Sequence, residues 1–304
     1  MGSRHSAVFF APERLDLVGL GVDLQQAVDA VDGQMSTWKP DSDLMRFNRA
    51  PVDGWVDVPE QLGTVLAAAL EIGRASHGAF DIGVGDLVSA WGFGAAASAP
   101  DLAAITRTST VRRTPAHLAI ELDRARKRGR KRAPITLDLS GIAKGYGVDE
   151  LARVIEMHDI SSYLVSIDGE LRAGGPKPDG SAWHVAVESP TFGHRQAAGV
   201  IEIADAALAT SGDYRHFVDL GGVHYAHTMN PSHQAPLSNG PAAVTVLSKT
   251  CMQADAWATA LMVLGPERGG VLASALDLEV LFAARETDAS HPSAFSQFHQ
   301  LPSP

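Results

Sequence analysis

The sequence predicts an α+β fold, and three observations lead to that prediction. Helix patterns and strand patterns occur without a regular alternation of one strand with one helix. The helix patterns are concentrated in the first third of the chain, and most strand patterns follow. The chain has 304 residues, 45% of them hydrophobic and 20% charged, which is enough to bury a large core. We therefore expect one domain over 1–304, helix-rich over about 1–110 and sheet-rich over about 111–304.

The N-terminal part contains two predicted helices. Residues 20–35 and 59–76 carry apolar side chains at helical spacing, and Pro59 stands near the first turn of the second helix. A polar, turn-rich loop lies between them. The stretch FDIGVGDLVSAWGFG at 80–94 has four glycines and two tryptophan or phenylalanine rings close to its end, and it is typical of neither a simple helix nor a simple strand.

The remainder of the chain contains mostly predicted strands. Apolar or alternating residues predict strands at 117–122, 135–139 and 276–284. The turn PKPDG separates SSYLVSIDGELRAGG from SAWHVAVES, and its composition predicts a hairpin that joins them.

Charge and composition limit the classes of function. Seven Lys or Arg residues lie between 124 and 132, but no aromatic residues are interleaved to stack on bases, so we interpret them as a solvated hairpin tip. With a net charge of −10, no nucleic-acid partner is expected. No apolar run approaches the ~20 residues of a membrane span. The first residues contain no apolar signal core, which leaves the compartment open: cytoplasmic as the sequence stands, or exported if a signal has been removed. The one cysteine, Cys251, excludes an internal disulfide.

The stretch DLSGIAKGYG has features of an anion-binding turn. Ser140 is placed to cap the helix that follows, and Gly141 and Gly145 let the backbone come close to a ligand. Lys144 adds a positive charge, and Asp138 is an acid in an otherwise apolar strand that needs a partner. The spacing matches neither a P-loop nor a dinucleotide fingerprint. A tight turn that needs glycine for geometry alone is an equally open interpretation.

The stretch ADAWATALMVLGP predicts an apolar helix with two polar side chains. Asp255 and Thr259 are four residues apart, so they lie on one face. Their carboxylate and hydroxyl oxygens suit Mg²⁺, which keeps waters and takes further ligands from substrate phosphates. The alternative is an acid that complements the helix dipole and a threonine that bonds back to a carbonyl.

Two further stretches carry candidate groups. His227 follows a predicted strand and precedes a turn, where it could serve as a general base or as a hydrogen-bonded turn histidine. No histidine pair has the spacing of a metal site. The segment Thr210-Ser211-Gly212 predicts a polar turn, which could also hold a nucleophile or contact a phosphate.

Six stretches together resemble the ApbE family, the FAD:protein FMN transferases. They occur in the family's order over about 35 to 266: MSTWKPDSDLMRFN, GAFDIGVGDLVSAWGFG, LDLSGIAKGYGVDELA, YLVSIDGELRAGGPKPDGSAWHVAVESP, ALATSGDYRHF and CMQADAWATALMVLGPE. The resemblance implies an α+β, T-fold-like protein of mixed sheets and packed helices, with FAD in a cleft between two subdomains. It also implies Mg²⁺-dependent cleavage of FAD and transfer of FMN to a Thr or Ser hydroxyl of an acceptor flavoprotein, with release of AMP. The alternatives are an FAD pyrophosphatase, which forms FMN and AMP, and a non-catalytic flavin-binding protein.

The resemblance also implies roles for individual residues. Asp255 and Thr259 match the family's metal ligands, together with a backbone oxygen at Gly141, and His227 matches a base for the accepting hydroxyl. The implied FAD contacts are Met1, Trp38, Trp91, Gly92, Phe93, Asp138, Lys144, His227 and Met229.

Three departures from the family pattern leave the metal pair intact. Asn230 stands where an aspartate is usual before the turn proline, and the usual R-T-G that follows is replaced by Ser232, His233 and Gln234. The Gly-Gly of the central hairpin is replaced by Asp168 and Gly169.

Overall fold

The structure is a computed structural model that describes residues 4–95, 99–190, 196–214 and 216–284. The α-helices in these residues are α1 Leu17–Met35, α2 Asp43–Arg49, α3 Glu60–Ala75, α4 Gly85–Ala90, α5 Leu102–Ser109, α6 Ala116–Ala119, α7 Ala143–Met157 and α8 Cys251–Ala275. The strands are β1 His5–Phe10, β2 Val56–Asp57, β3 Ile120–Asp123, β4 Arg128–Lys131, β5 Ser162–Ile167, β6 Glu170–Gly174, β7 Trp183–Glu188, β8 Ala197–Ile203, β9 Ala207–Gly212, β10 Phe217–Leu220, β11 Val223–Ala226, β12 Met229–Asn230, β13 Ala235–Pro236, β14 Ala243–Ser248 and β15 Glu279–Ala283. This mixture of several sheets and helices confirms the α+β prediction.

The chain divides into two compact units, each built from separate segments. Within the described residues, unit 1 contains those of 30–143 and 216–239. Unit 2 contains those of 4–29, 144–214 and 240–284. Helix α1 passes from unit 2 into unit 1, so one continuous helix contributes to both.

Unit 2 is organised by a six-stranded antiparallel sheet in the order β1-β5-β6-β9-β14-β15. Side chains of β5 alternate between buried and half-buried positions, as expected for a strand covered more fully on one face. Apolar residues of α1 and α7 pack on the buried side chains of β5. Trp183 and Val185 of β7 form a second apolar cluster with residues of β6 and β9.

The turn PKPDG does not join paired strands, and that prediction was wrong. Strand β6 pairs with β5 and β9, whereas β7 pairs with β8, so the turn connects two different sheets. The hairpin lies earlier, between β5 and β6, where Asp168 has a φ of +52°. Aspartate tolerates this left-handed conformation, which accounts for its presence where a glycine is usual. The Asp168 N–H also donates to the Arg4 carbonyl oxygen at 2.9 Å, which ties the turn to β1.

Unit 1 has a three-stranded sheet in the order β2-β4-β3 and two small hairpins, β10-β11 and β12-β13. The strand predicted at 117–122 is partly replaced by α6, and β3 begins only at Ile120. The strand predicted at 135–139 is absent. The Asn48 side chain takes the place of a neighbouring strand there: it accepts from the Leu137 N–H at 2.8 Å and donates to the Leu137 carbonyl at 2.9 Å.

The basic segment forms the predicted hairpin tip, between β3 and β4. Lys127 takes a left-handed φ of +48° at the turn, and Asp123 forms ion pairs with Arg126 and Arg128. Acidic neighbours thus neutralise part of its charge, as expected for a solvated surface rather than a binding groove.

Helix α8 begins three residues before the predicted stretch and is interrupted within it. Thr250 is the N-cap, and its hydroxyl accepts from the Gln253 N–H. Gly265 has a φ of +74° beside Pro266, so the helical path breaks there because proline has no N–H and disfavours helix in the residue before it. In the part of the chain that the structure describes, no helix combines the length and apolarity needed to cross a membrane.

Candidate functional site

The predicted site residues form two groups, one in each unit. Asp255, Thr259 and Lys144 belong to unit 2. The unit 1 residues are Trp38, Trp91, Gly92, Phe93, Asp138, Gly141, His227 and Met229. Met1, the remaining predicted FAD contact, lies outside the described residues.

Asp255 is buried in the second turn of α8, with 4% of its surface exposed. Its Oδ2 accepts a hydrogen bond from the Gly145 N–H of α7 at 3.0 Å. No other hydrogen bond to this carboxylate is found among the described residues, so Oδ1 is left for another partner. The interpretation as a simple helix-dipole partner is disfavoured, because the first turn of α8 contains no acid and Asp255 lies beyond the free N–H groups of that turn.

Gly145 is required by the close approach of α7 to α8. A Cβ atom at this position would lie 2.3 Å from the Cys251 carbonyl oxygen and 2.8 Å from the Asp255 Cβ. Backbone of α7 therefore reaches the Asp255 carboxylate because residue 145 has no side chain.

The charges near Asp255 do not balance. The Lys144 ammonium forms an ion pair with Glu170, whose side chain is 4% exposed. Burial raises the pKa of Asp255 to about 7, and the Glu170 carboxylate adds to the rise, while Lys144 and the Gly145 N–H oppose it. Burial would lower the pKa of Lys144, but Glu170 and Asp255 hold that pKa above its usual value. Two carboxylates share one ammonium, which leaves one negative charge for a cation to neutralise.

Thr259 lies one turn after Asp255 and contacts a strand. Its Oγ1 is 3.2 Å from the Ser211 Oγ of β9, so the described hydrogen bond of Thr259 goes to another hydroxyl rather than back to a carbonyl. On the same strand, the Thr210 hydroxyl is 2.8 Å from the Thr245 hydroxyl of β14. The predicted turn at Thr210-Ser211-Gly212 was therefore wrong, because pairing with β14 draws this polar segment into the central sheet.

The oxygen groups of unit 2 fit a Mg²⁺ ion with few protein ligands. Asp255 offers a carboxylate with a free oxygen, Thr259 offers a hydroxyl, and Ser211 supports that hydroxyl. Among the described residues, no cluster of three or more His, Cys, Asp or Glu side chains is placed to hold a metal. A cation here would take its other ligands from water and substrate, as Mg²⁺ does. The Gly141 backbone oxygen stays a predicted ligand.

Asp138 supplies the side-chain acceptor in the turn before α7. Its Oδ1 accepts from the Ser140 N–H at 2.8 Å. Helix α7 begins at Ala143, whose N–H donates to the Leu139 carbonyl at 2.8 Å. Asp138 thus stabilises the turn locally, and its contact with FAD stays a prediction.

The hydrogen bonds of His227 favour one tautomer of its neutral ring. Its backbone N–H donates to the His216 carbonyl oxygen at 3.0 Å, and its Nδ1 is 3.2 Å from the same oxygen. A carbonyl can only accept, so in the neutral ring Nδ1 carries the hydrogen and Nε2 retains its lone pair. The Phe93 ring contacts the imidazole edge at a centroid distance of 6.4 Å. This arrangement suits a base that acts through Nε2.

An apolar cluster in unit 1 contains three of the predicted FAD contacts. Trp91 and Met229 are each 6% exposed, and Phe93 packs against them. The Trp91 ring lies 4.8 Å from the Tyr225 ring, and its buried indole N–H has no hydrogen-bond partner among the described residues. Trp38, by contrast, is 67% exposed.

Gly92 allows the backbone to turn between Trp91 and Phe93. It has a φ of +79°, and a Cβ there would lie 2.6 Å from the Ala99 carbonyl carbon. Both the conformation and the space therefore require glycine.

Asn230 performs the local task of an aspartate in the loop after His227. Its Oδ1 accepts from the Ser232 N–H at 3.1 Å, the Ser232 hydroxyl at 2.7 Å and the His233 N–H at 3.2 Å. The departure from the family pattern thus preserves the acceptor that closes the turn.

Sequence reasoning missed Glu170 and Asp149, and it singled out Ser211 only as part of a polar turn that could hold a nucleophile or contact a phosphate. Glu170 lies in an alternating strand, and Ser211 was assigned to a turn, so nothing local marked either of them as a neighbour of the metal pair. Asp149 lies within a predicted helix and carried no sequence signal, but its carboxylate accepts from the Cys251 and Met252 N–H groups at 3.0 and 2.9 Å.

Comparison with known proteins gives consistent matches over nearly the whole chain. The profile of the ApbE family matches residues 1–282. A FAD:protein FMN transferase of Vibrio cholerae serotype O1 is 37% identical over 302 residues, which cover 98% of this chain and 89% of the relative. The FAD:protein FMN transferase of Escherichia coli K12 is 34% identical over 269 residues, covering 88% of this chain and 77% of the relative. A solved structure of the flavin transferase ApbE from Vibrio cholerae superimposes with a TM-score of 0.84 at 35% identity, covering 95% of this chain and 92% of the other.

Proposed function

Because the chain belongs to the ApbE family, we propose that it is a FAD:protein FMN transferase. The hydroxyl of an acceptor Thr or Ser attacks the FMN phosphorus of FAD. The bond from that phosphorus to the bridging pyrophosphate oxygen breaks, a phosphoester forms, and AMP leaves. Family membership and the buried Asp255 carboxylate with its free Oδ1 are the observations that support this reaction.

The acidic group of unit 2 would hold Mg²⁺ through Asp255 and Thr259, with the Gly141 carbonyl as a further ligand. When bound, the ion would neutralise the charge of the pyrophosphate and of the departing AMP. Gly145 orients the Asp255 carboxylate by its N–H, and Ser211 orients the Thr259 hydroxyl. Glu170 holds the Lys144 ammonium in a fixed place by an ion pair. The bound ion would supply most of the charge neutralisation on which phosphoryl transfer depends, and these residues would hold it in place.

His227 would accept the proton of the acceptor hydroxyl at Nε2. The His216 carbonyl favours the tautomer in which the lone pair lies on this nitrogen. The positive charge that develops on the ring is stabilised by the same carbonyl, because its oxygen accepts from Nδ1–H.

The apolar cluster of unit 1 would bind the ring systems of FAD. Trp91 and Phe93 offer aromatic surface, Met229 adds a polarisable contact, and the Trp91 indole N–H still has a hydrogen bond to donate. Asp138, Lys144, Gly92, the exposed Trp38 and Met1 complete the proposed FAD contacts, on the strength of the resemblance.

Mass spectrometry of an acceptor protein tests the proposal. The protein is incubated with FAD, Mg²⁺ and a flavoprotein domain that carries an acceptor threonine, and the intact mass of that domain is measured. We expect a mass increase of one FMN on the domain and one AMP for each adduct. Release of FMN and AMP without an adduct would identify a pyrophosphatase, and unchanged FAD bound at one equivalent would identify a binding protein. A threonine-to-valine variant of the acceptor is the control and should gain no mass.

A further inference from the structure

Helices α7 and α8 are joined by a second polar contact one turn away from the first. The first contact is the bond from the Gly145 N–H to Asp255. The second is made by the Asp149 carboxylate, whose Oδ1 accepts from the Cys251 N–H at 3.0 Å and whose Oδ2 accepts from the Met252 N–H at 2.9 Å. Position 149 lies four residues after 145 on α7, whereas 251 lies four residues before 255 on α8. The two contacts therefore lie one helical turn apart on one face of each helix, and the helices run antiparallel there.

Asp149 is itself held from a third element. Arg172 of β6 donates from Nη1 to the Asp149 Oδ1 at 3.0 Å. Its Nη2 lies 3.5 Å from Glu156, which accepts the Tyr163 hydroxyl. The Asp149 side chain is 14% exposed and Arg172 is 26% exposed, so these bonds are partly shielded from water.

The packing of the two helices leaves little freedom around this contact. At Gly145 the backbones are so close that a Cβ would overlap the Cys251 carbonyl. Steric contact therefore limits how far α8 can move toward α7, and the Asp149 bonds limit how far it can move away. Both limits act on the first turn of α8, directly before Asp255.

We propose that Asp149, fixed by Arg172, is a positioning residue that sets the place of the metal ligand Asp255 on α8. This inference rests on the proposed function, since it assigns Asp149 to the support of the Mg²⁺ site. Asp149 does not touch the ion: it orients the helix that carries the ligand, and residues that hold metal ligands in place typically change metal affinity by about 10- to 100-fold when altered.

Mn²⁺ binding to the FAD-free protein, measured by electron paramagnetic resonance, tests the inference without relying on turnover. The variant Asp149→Asn keeps the shape but replaces one acceptor oxygen by an NH₂ group, which cannot accept from a backbone N–H. We expect its Mn²⁺ affinity to fall by about 10-fold or more. The variant Arg172→Gln, which frees Asp149 but leaves its acceptors, should show a smaller loss in the same direction.

Asp16→Asn is the matched control. The Asp16 Oδ1 also accepts two backbone N–H groups at a helix start, those of Val18 and Gly19 at 3.1 and 3.0 Å, but it does so on α1. Both aspartate variants should lower the thermal unfolding midpoint, because each removes a negative charge from the start of a helix. Only Asp149→Asn should weaken Mn²⁺ binding. A purely structural cap would lower the midpoint in both and leave the Mn²⁺ affinity unchanged.

The outcomes separate this inference from the proposed function. Wild-type protein that binds no Mn²⁺, either alone or with FAD present, would contradict the proposed metal site itself. Wild-type binding with an unchanged affinity in Asp149→Asn would overturn the positioning role alone. If Asp149→Asn does not fold, Arg172→Gln decides, and wild-type affinity in that variant would overturn the role.

Discussion

The two groups of candidate residues differ in how the fold holds them. In unit 2, Asp255, Thr259 and Glu170 lie on helices and strands of the central core and are tied to other elements by hydrogen bonds and an ion pair. In unit 1, His227 and Met229 lie on a short hairpin and its flanking loop, and the aromatic cluster around them contains no described ion pair. In the proposed function, the first group would handle charge from the central core, and the second would present a base and aromatic surface from short elements.

This difference predicts separable effects of substitution. To bind a buried cation, a protein needs a buried carboxylate, and burying that charge costs free energy unless neighbouring groups stabilise it. Packing of helices on a sheet holds such neighbours in place. A base needs only a correct tautomer and access to the hydroxyl, which a loop can provide. Changes in the first group should alter metal binding and the pH dependence of stability, whereas changes in the second should alter transfer with little effect on either.

Asp255→Asn should cause the largest loss of FMN-transfer activity. Asparagine keeps an oxygen for the Gly145 N–H but removes the charge that would bind Mg²⁺. Losing several kcal/mol of charge stabilisation lowers FMN transfer by roughly 1,000-fold or more. Release of AMP from FAD, measured by chromatography, should fall with it. The Asp16→Asn protein serves again as the control and should retain its rate.

The Asp255→Asn protein should fold, so a loss of transfer can be attributed to the missing charge. A buried carboxylate that lacks a full counter-charge destabilises the metal-free protein at neutral pH, so its neutral analogue should be at least as stable. Circular dichroism and urea unfolding check this. Wild-type turnover in a folded Asp255→Asn protein would remove Asp255 from the metal site.

His227→Gln should cause the second-largest loss of FMN-transfer activity. Glutamine cannot take a proton near neutral pH, and general-base catalysis is commonly worth about 100-fold or more. The rate of adduct formation on the acceptor, followed by mass spectrometry, should fall by that factor while Mg²⁺ affinity stays unchanged. The matched control is His224→Gln, three residues earlier in β11, where the imidazole pairs with Asp219. That variant should transfer within about twofold of wild type. Equal losses in both variants would indicate damage to the hairpin instead of loss of a base.

The two groups also differ in how far the sequence could predict them. The Asp255 and Thr259 pair was accessible because both residues lie on one helix, where a spacing of four fixes a common face. The family was accessible too, because six stretches in a fixed order resemble it, and the comparisons confirm that family. The sequence could not predict neighbours that depend on tertiary pairing. Strand β9 brings Ser211 beside Thr259, and β6 brings Glu170 beside Lys144.

Errors in the predicted elements have the same origin. The segment at 135–139 has a strand pattern, but both backbone groups of Leu137 bond to the Asn48 side chain, 89 positions away in sequence. The Thr136 carbonyl and the Asp138 N–H bond to the backbone at Gly85 and Ile82. The turn at PKPDG has hairpin composition, yet the strands beside it find partners in different sheets. Local composition predicts conformation, whereas pairing depends on which surfaces meet in the folded chain.

The pH dependence of the metal-free protein should differ between wild type and Asp255→Asn. Burial raises the pKa of Asp255 to about 7, whereas an aspartate in the unfolded chain titrates near 3.9. Between these values the folded protein binds more protons than the unfolded chain, so the free energy of unfolding falls as the pH rises from about 4 to 7. Urea unfolding in EDTA should show this decline, reduced in Asp255→Asn.

Mg²⁺ should compete with the same proton. Its affinity for the wild-type protein should rise by about tenfold per pH unit below 7 and level off above, because the ligand must lose its proton first. Calorimetric titration with Mg²⁺ between pH 5.5 and 8.5, a range of about three units around that pKa, measures this. A flat profile would show that Asp255 is already ionised throughout.

Asn230→Asp should have the smallest effect and tests whether the loop after His227 depends on an acceptor or on a charge. The Asn230 Oδ1 accepts three hydrogen bonds, from Ser232 twice and from His233 once, and a carboxylate oxygen accepts all three equally well. The cost is the bond from Nδ2 to the His233 ring, about 1 kcal/mol or less. FMN transfer and stability should therefore stay within about twofold and 1 kcal/mol of wild type. Asn230→Ala removes the acceptor of all three bonds and should lose about 1 kcal/mol of stability, because the donors on the exposed residues Ser232 and His233 can then bond to water instead. If Asn230→Asp instead raised FMN transfer tenfold, a negative charge at position 230 would assist proton transfer to His227. The proposed base would then depend on a nearby charge, as the proposed metal site does.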